Sequence, residues 1–439
     1  MATKKDLIEA QGFSRRRLLS AFTGGAPGGK ELDPAKPLRA VVAGVALTAM
    51  VILGGVFYGL VRPGLPQGWE DNKLVLVSDT GARYLTVGGE LHPVINTASA
   101  RLLVPAGDFS VISTDQDTVA DITVGGTVGI VGAPDDLPAP DALISDGWTA
   151  CVTGRGQTAV GISEDPIATD APDSGTVVTV ADELFVVAGE YRYAVDSDDA
   201  NAVLRAVGLG TSAPIEVDGR WLNLFKPGAD LAPLTVEGAG DTIAGTDLRV
   251  GAVVHPEGSA DDERYIALST GELARLTPVA YQLQLLGTSD GEVVDVSPAE
   301  IGDLPTATDP AGGRDWPSDI LIPVDAELLP CALSDVTEDT TTTTLATAPS
   351  SDVTGADPVG VDVGAGSLVR AGSGTPAFLV DGSGTAYAVT TADSLERLGY
   401  SGRDVATIVP GWLDFLPTGP ELSPEAAGAS PAVEAASSK

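Results

Sequence analysis

Hydrophobic and polar positions fall into three regimes along this chain. Residues 3–22 (TKKDLIEAQGFSRRRLLSAF) mix charged and apolar positions at helical spacing. Residues 38–61 are apolar almost without interruption. From residue 74 onward, short apolar runs broken by Gly, Asp, Ser and Thr read as strands and turns.

The first regime predicts a helix with Leu7, Ile8, Phe13, Leu18, Leu19 and Phe22 on one face and Arg15, Arg16 and Arg17 on the other. Such a helix lies on a membrane surface or docks a partner helix, and Gly12 weakens it. Gly24–Pro37 is a Gly/Pro-rich link. The second regime sets the topology. Residues 40–61 carry no formal charge, and at ~1.5 Å per residue they reach about 33 Å, enough to cross a ~30 Å hydrocarbon core. The run is longer than a signal-peptide core, and Arg62-Pro63-Gly64-Leu65-Pro66 offers no A-x-A cleavage site, so an uncleaved anchor is expected. Arg15-Arg16-Arg17 stands too far from the apolar run to serve as a twin-arginine signal.

The third regime repeats a hairpin followed by a helix. The copies are 74–104 (turn at Gly81, strand through Tyr84), 184–208 (turn at Gly189, strand through Tyr193), 265–287 (turn at Gly271) and 377–399 (turn at Gly384, strand through Tyr387). Asp, Ser or Thr stands where each helix needs a cap. The four glycines lie 108, 82 and 113 residues apart, which excludes a regular solenoid. The expected fold is therefore one transmembrane helix plus an α+β ectodomain of four ββα-like repeats around a central β domain. The expected blocks are a cytoplasmic segment 1–39, the span 40–61 and a stalk 62–73. Repeats cover 74–107, 184–240, 241–290 and 361–421. The central domain comes from 108–183 and 291–337, a flexible loop covers 338–360, and a disordered tail covers 422–439.

Charge adds orientation. Residues 1–39 hold eight Lys/Arg against four Asp/Glu, whereas the whole chain carries −36. The basic side stays in the cytoplasm and the acidic bulk lies outside. That bulk does not suit nucleic acid, which needs Lys/Arg to displace counterions. Cys151 and Cys331 then meet an oxidising compartment, and one disulfide closing about 180 residues is expected, with two separate thiols as the alternative.

The run TGARYLTVGGELHPVINTASARLL, holding Gly81, Tyr84, His92, Asn96 and Arg101, resembles the signature of the EccB family of type VII secretion proteins. QGFSRRRLLSAF with Asp33-Pro34 resembles the family's cytoplasmic helix, Trp148-Thr149-Ala150-Cys151 its first cysteine motif, and Gly384-Thr385-Ala386-Tyr387 its last repeat. The resemblance covers nearly the whole chain in order. The chain departs from it in 338–357, in Gly24–Lys30 and in its low Arg content. It implies a disulfide-closed central domain. It also implies an inner-membrane complex with an FtsK-like ATPase, a multi-span channel component, a further membrane subunit and a mycosin protease, exporting small helical proteins.

Family members are described as ATPases, so a nucleotide site must be sought. Gly24–Lys30 spells G-x-x-x-x-G-K, but Glu31 stands where Ser or Thr should hold magnesium, and neither strand nor helix frames it. Gly287–Gly291 matches G-x-S-x-G, but both histidines, His92 and His255, precede it, and a helix comes before it rather than after. Two His and two Cys cannot make a zinc site at usual spacing. Asp115, Asp117 and Asp121 lack the Gly and Glu of a calcium loop. No catalytic, cofactor or metal residues are assigned. His92-Pro93 and His255-Pro256 end strands, Trp148, Trp221 and Trp412 belong to a core, Tyr84, Tyr193 and Tyr387 pack where hairpin meets helix, and Arg101 pairs with a carboxylate. The expected function is a structural secretion subunit whose Phe13–Leu19 helix docks partners and whose ectodomain oligomerises. The alternatives are a membrane-anchored enzyme (an ATPase or a cell-wall hydrolase) and a stalked binding module.

Overall fold

Two helices precede the folded domain: α1 (Lys4–Gly24) and α2 (Pro37–Val61). The computed structural model describes residues 3–24, 37–61, 65–153, 156–287, 293–302, 304–336, 340–353, 359–372 and 374–431. Among these, α2 is the one helix long and apolar enough to cross a membrane, and nothing within the chain covers its Ala40–Phe57 window.

After α2 the described residues build five sheets. The first is ordered Glu90–Pro93, Arg83–Val87, Lys73–Val77, Ser110–Thr114. Its first three strands are antiparallel, and the fourth runs parallel to Lys73–Val77 after the helix α3 (Thr97–Leu103). The second sheet has the same connection. Ser174–Val180, Glu183–Ala188 and Tyr191–Val195 form a meander, α4 (Ala200–Ala206) follows, and Ile215–Glu216 returns parallel to Ser174–Val180. The third runs Val253–Pro256, Arg264–Ala267, Leu273–Leu276, α5 (Pro278–Gly287), then Val293–Val296 parallel to Val253–Pro256. The last runs Ser367–Arg370, Ala377–Val380, Ala386–Val389, α6 (Ala392–Leu398), then Ala406–Thr407 parallel to Ser367–Arg370.

The remaining sheet is central. Its order is Val359–Val361, Thr158–Ile162, Trp148–Val152, Leu328–Val336, Thr341–Pro349, Thr169–Asp170. Trp148, Ala150, Val160, Ala332 and Leu345 on one face join Val178 and Val187 of the second sheet and Val369 and Val380 of the last in one core. Trp148, Trp221 and Trp412 sit in it, fully buried, with Trp148 and Trp412 edge to face at 6.1 Å. A buried aromatic of this size is worth about 2–3 kcal/mol in transfer free energy, so the three fix the stacking of sheets more than any polar contact does.

Several sequence expectations need correction. Each unit is a three-stranded meander, a helix and a parallel strand rather than ββα. Of the closing strands, Ile215–Glu216 and Ala406–Thr407 were hidden by being only two residues long, and Val293–Val296 was assigned to the central block. Ser110–Thr114, Ser174–Val180 and Val293–Val296 therefore leave the central block, which shrinks to strands between 148 and 170 and between 328 and 361. Gly81 is not the counterpart of Gly189, Gly271 and Gly384. Those glycines lie between second and third strands, where the first sheet has Gly88-Gly89. Tyr84 likewise sits one strand earlier than Tyr193 and Tyr387. The strands expected to end at His92-Pro93 and His255-Pro256 are Glu90–Pro93, the third of the first meander, and Val253–Pro256, the first of the third.

Thr341–Pro349 is not a flexible loop. It pairs with Leu328–Val336 at nine consecutive positions. Its five threonines are β-branched and suit a strand, and polar composition concealed that propensity. The 65–72 stretch is not a free stalk. Leu65 and Trp69 pack on the first sheet, and Gly89 N donates to Glu70 O at 2.9 Å. The tail is ordered from Leu422, which is fully buried, into α7 (Pro424–Gly428). Ser423 caps α7 with proline at its first turn, a start signal outweighed in the sequence by its Ala/Ser/Glu neighbours.

Candidate functional site

The predicted docking helix α1 exposes Leu7, Ile8, Phe13, Leu18, Leu19 and Phe22, each by more than half. A helix turns about 100° per residue, so Arg15, Arg16 and Arg17 spread over 200° and cannot share one face. Arg15 falls among Leu18, Leu19 and Phe22, and Phe13 lies on the far side from them. The expected division into an apolar and a basic face is thus corrected to a mixed surface. Gly25–Lys30 and Ser289–Gly291, which carry the two glycine motifs, lie outside the described residues.

Cys151 and Cys331 form a disulfide. They stand directly opposite each other on Trp148–Val152 and Leu328–Val336, both buried. Since 180 residues separate them, the bond staples the two chain-distant halves of the central sheet.

The residues expected to define the repeats do separate jobs. Asn96 caps α3: its Oδ1 accepts from Ser99 N at 3.0 Å, and its Nδ2 donates to Ile130 O at 2.7 Å. His92 Nδ1 faces Gly126 O at 3.1 Å. Tyr84 packs beside Leu65 and Trp69. Tyr193 donates to Asp315 O, and burial raises its pKa. Tyr387 donates to Asp381 Oδ2 at 3.1 Å, and burial, with that carboxylate, pushes its pKa up to about 12. Asp381 Oδ1 accepts from Ser383 N, Ser383 Oγ and Thr385 N, which folds the turn where Gly384 takes φ +77°. Gly81, Gly189 and Gly271 also occupy positive-φ turn positions.

Arg101 corrects an expectation. Its guanidinium donates through Nη1 to Leu398 O at 3.0 Å and lies over the Phe109 ring at 4.9 Å. A helix-end carbonyl and an aromatic face take the place of the expected carboxylate. In return Arg397 of α6 donates through Nη1 to Leu102 O of α3 at 3.2 Å. Ala98, Leu102, Leu395, Leu398, Tyr400 and Leu422 fill the seam between the two helices. The first and last sheets are thereby joined, as α4 and α5 join the second and third.

A histidine cluster was missed altogether. His255 Nδ1 faces Asp295 Oδ1 at 2.9 Å, and its Nε2 faces Ala260 O at 3.2 Å and Ser259 Oγ at 3.3 Å. Asp295 is 40 residues away in sequence but directly beside His255 in the parallel register. The order Ser–His–Asp matches a nucleophile relay. However, the Ser259 amide is spent on Pro256 O, the Glu257 amide on Val296 O, and the ring nitrogen faces a carbonyl, so the arrangement is not set up for acyl transfer.

A cavity of about 700 Å³ opens where Ile322–Pro323 and Ile215–Glu216 leave a gap along Ser174–Val180. Its described lining carries the carboxylates of Glu216 and Asp325 and neither Lys nor Arg, which does not suit a phosphate.

Residues 1–433 match the protein family described as "Type VII secretion system ESX-1, transport TM domain B". Similar proteins include one named ESX-3 secretion system ATPase EccB3 of Mycobacterium tuberculosis, 28% identical over 267 residues that make up 55% of this chain and 48% of that protein. Another, named ESX-5 secretion system ATPase EccB5 of Mycobacterium marinum, is 25% identical over 300 residues, or 63% and 58% of the two chains. The chain spans about half the length of the curated relatives it matches. Its fold is similar to a chain in an intact ESX-5 inner membrane complex, with TM-score 0.69 at 20% identity, covering 99% of this chain and 96% of that one. It is also similar to the EccB3 dimer from the ESX-3 core complex, with TM-score 0.67 at 22% identity, covering 81% and 99%. With the family match spanning α1, α2 and all five sheets, this chain belongs to the EccB family of type VII secretion membrane proteins.

Proposed function

We propose that this chain is a structural subunit of a type VII protein secretion complex in the cell membrane. The observation that carries the reading is the family match over residues 1–433, which takes in the membrane helix and the stapled domain together. The Lys/Arg excess before α2 supports a cytoplasmic N-terminus and an extracytoplasmic acidic domain. On this reading the four sheets that share one connection are copies of a single unit arranged around the central sheet. The exposed apolar residues of α1 dock partner subunits, an FtsK-like ATPase and a multi-span channel component being the expected ones, with a mycosin protease alongside. The domain outside makes contacts with further copies, in keeping with the dimer described for the similar EccB3 structure.

The test is gentle detergent extraction of a C-terminally tagged form, native sizing and identification of what travels with it. A megadalton particle containing an FtsK-like ATPase is expected. A lone monomer or dimer without other membrane subunits overturns the proposal. A second reading, intrinsic ATP turnover, rests on the names of the similar proteins. Turnover that survives removal of the partner ATPase would belong to this chain.

A further inference from the structure

The His255 cluster joins three segments of the third sheet. His255 is on Val253–Pro256, Asp295 is on the outer strand Val293–Val296, and Ser259 and Ala260 are in the turn that follows His255. The side chain is mostly enclosed, 16% exposed.

Its hydrogen-bonding partners define the protonation state that fits. A carboxylate and a carbonyl oxygen only accept. With Asp295 Oδ1 at one ring nitrogen and Ala260 O at the other, both nitrogens must donate, and only the imidazolium does so. A neutral ring keeping Nδ1–H for Asp295 turns the Nε2 lone pair toward the Ala260 oxygen. The Ser259 hydroxyl, 3.3 Å from Nε2, can then rotate to donate. Losing the proton therefore exchanges the Ala260 contact for a Ser259 contact. Two charged groups act on the ring: Asp295 from the outer strand, whose hydrogen bond holds the pKa above its ordinary 6.5, and Arg264 from the neighbouring strand, which opposes it.

We infer that His255 is a proton-operated latch: charged, it holds the outer strand Val293–Val296 through Asp295 and the 257–262 turn through Ala260 by charge-assisted hydrogen bonds, and neutral, it keeps only the weaker uncharged bonds to Asp295 and Ser259, which loosens both segments. The outer strand has a described partner on one side only, so the latch reinforces a sheet edge. The sign follows from linkage. A histidine whose folded pKa is raised contributes stability in full below its unfolded value, and loses it as pH rises through the folded value.

The experiment uses the full chain in detergent micelles. Slow exchange of the imidazole C2 hydrogens, followed by mass spectrometry across pH, reads the midpoints of His255 and His92 separately. Amide exchange, corrected for its intrinsic pH dependence, reads the 257–262 and 293–296 segments. A His255 midpoint above 6.5 is expected, with a severalfold loss of protection in both segments as pH passes it. Asp295→Asn lowers the midpoint and removes that pH dependence. A His255 midpoint at or below 6.5, or protection that stays flat across it, overturns the latch. The wild-type measurement decides alone should Asp295→Asn fail to fold.

Discussion

Arg101 and Arg397 each hydrogen-bond a carbonyl in the last turn of the other's helix. Arg101 Nη1 donates to Leu398 O at 3.0 Å and Arg397 Nη1 to Leu102 O at 3.2 Å. A helix C-terminus carries unsatisfied carbonyls and a partial negative charge, so a guanidinium there gains both a hydrogen bond and a favourable dipole contact. The exchange locks α3 against α6 across almost 300 residues of sequence.

Arg101→Ala and Arg397→Ala should each cost about 1–2 kcal/mol, as expected for a charge-assisted bond to a partly buried carbonyl. The double variant should lose less than the sum, because both residues act on one seam. Denaturant unfolding of the four forms checks this. Arg397→Ala also removes the Asp393 contact at 2.7 Å, so its cost should be the greater.

Gly399 ends α6 at φ +100°. A Cβ there would stand 2.7 Å from Arg101 Nη1. Gly399→Ala should therefore cost about 1–2 kcal/mol in backbone strain and displace the Arg101 side chain as well. In the Arg101→Ala background only the strain should remain, and the difference is measurable by the same unfolding curves.

The two cysteines should resist alkylation in the folded protein even after brief exposure to reductant, since both are buried. The chain-entropy model values a 180-residue closure at roughly 5 kcal/mol as an upper guide. Cys151→Ala with Cys331→Ala should keep the central sheet but unfold at markedly lower denaturant. Maleimide labelling of the wild type, native and denatured, checks the pairing itself.

Ending the chain at residue 421 should destabilise the domain, because Leu422 and Ala427 fill the seam beneath α3 and α6. Leu422→Ala alone should cost about 3 kcal/mol as a core truncation. Limited proteolysis should then cut between α6 and the last sheet sooner than in the wild type.

Alkaline pH should weaken the fold through its buried phenols. Burial raises the pKa of Tyr193, Tyr387 and Tyr400, that of Tyr387 to about 12. The unfolded chain ionises them near the ordinary 10, so it gives up protons first and stability falls as pH climbs past that value. Absorbance titration should show late-ionising phenols, and Tyr387→Phe should remove one of them.

The membrane helix was legible because 22 uncharged residues admit few other readings. The hairpins at Gly189, Gly271 and Gly384 were legible because their turn chemistry is local. Strands such as Ala406–Thr407 were not, since a parallel pairing made after a helix leaves no short-range pattern. Thr341–Pro349 was misread because threonine counts as polar in composition and as β-branched in a strand. Arg101 had its importance marked by its motif, but its partner is a carbonyl 297 residues away. Asp295 reaches His255 only through register. The Arg101 and His255 errors share one cause: the contacts that matter cross the chain.

The seam between α3 and α6 also sets a timetable. The helices of the second and third sheets meet within one continuous stretch, 174–323, and Ile322 returns to pair beside Ser174, so those contacts can form as the stretch emerges. Those of α3 with α6 cannot. Ala98 and Leu102 of α3 share their core with Leu395, Leu398 and Leu422. During synthesis, the unit that follows α2 waits with an apolar helix face open until residues 395–422 have been made. The first unit to be made is thus closed by a helix that arrives almost 300 residues later.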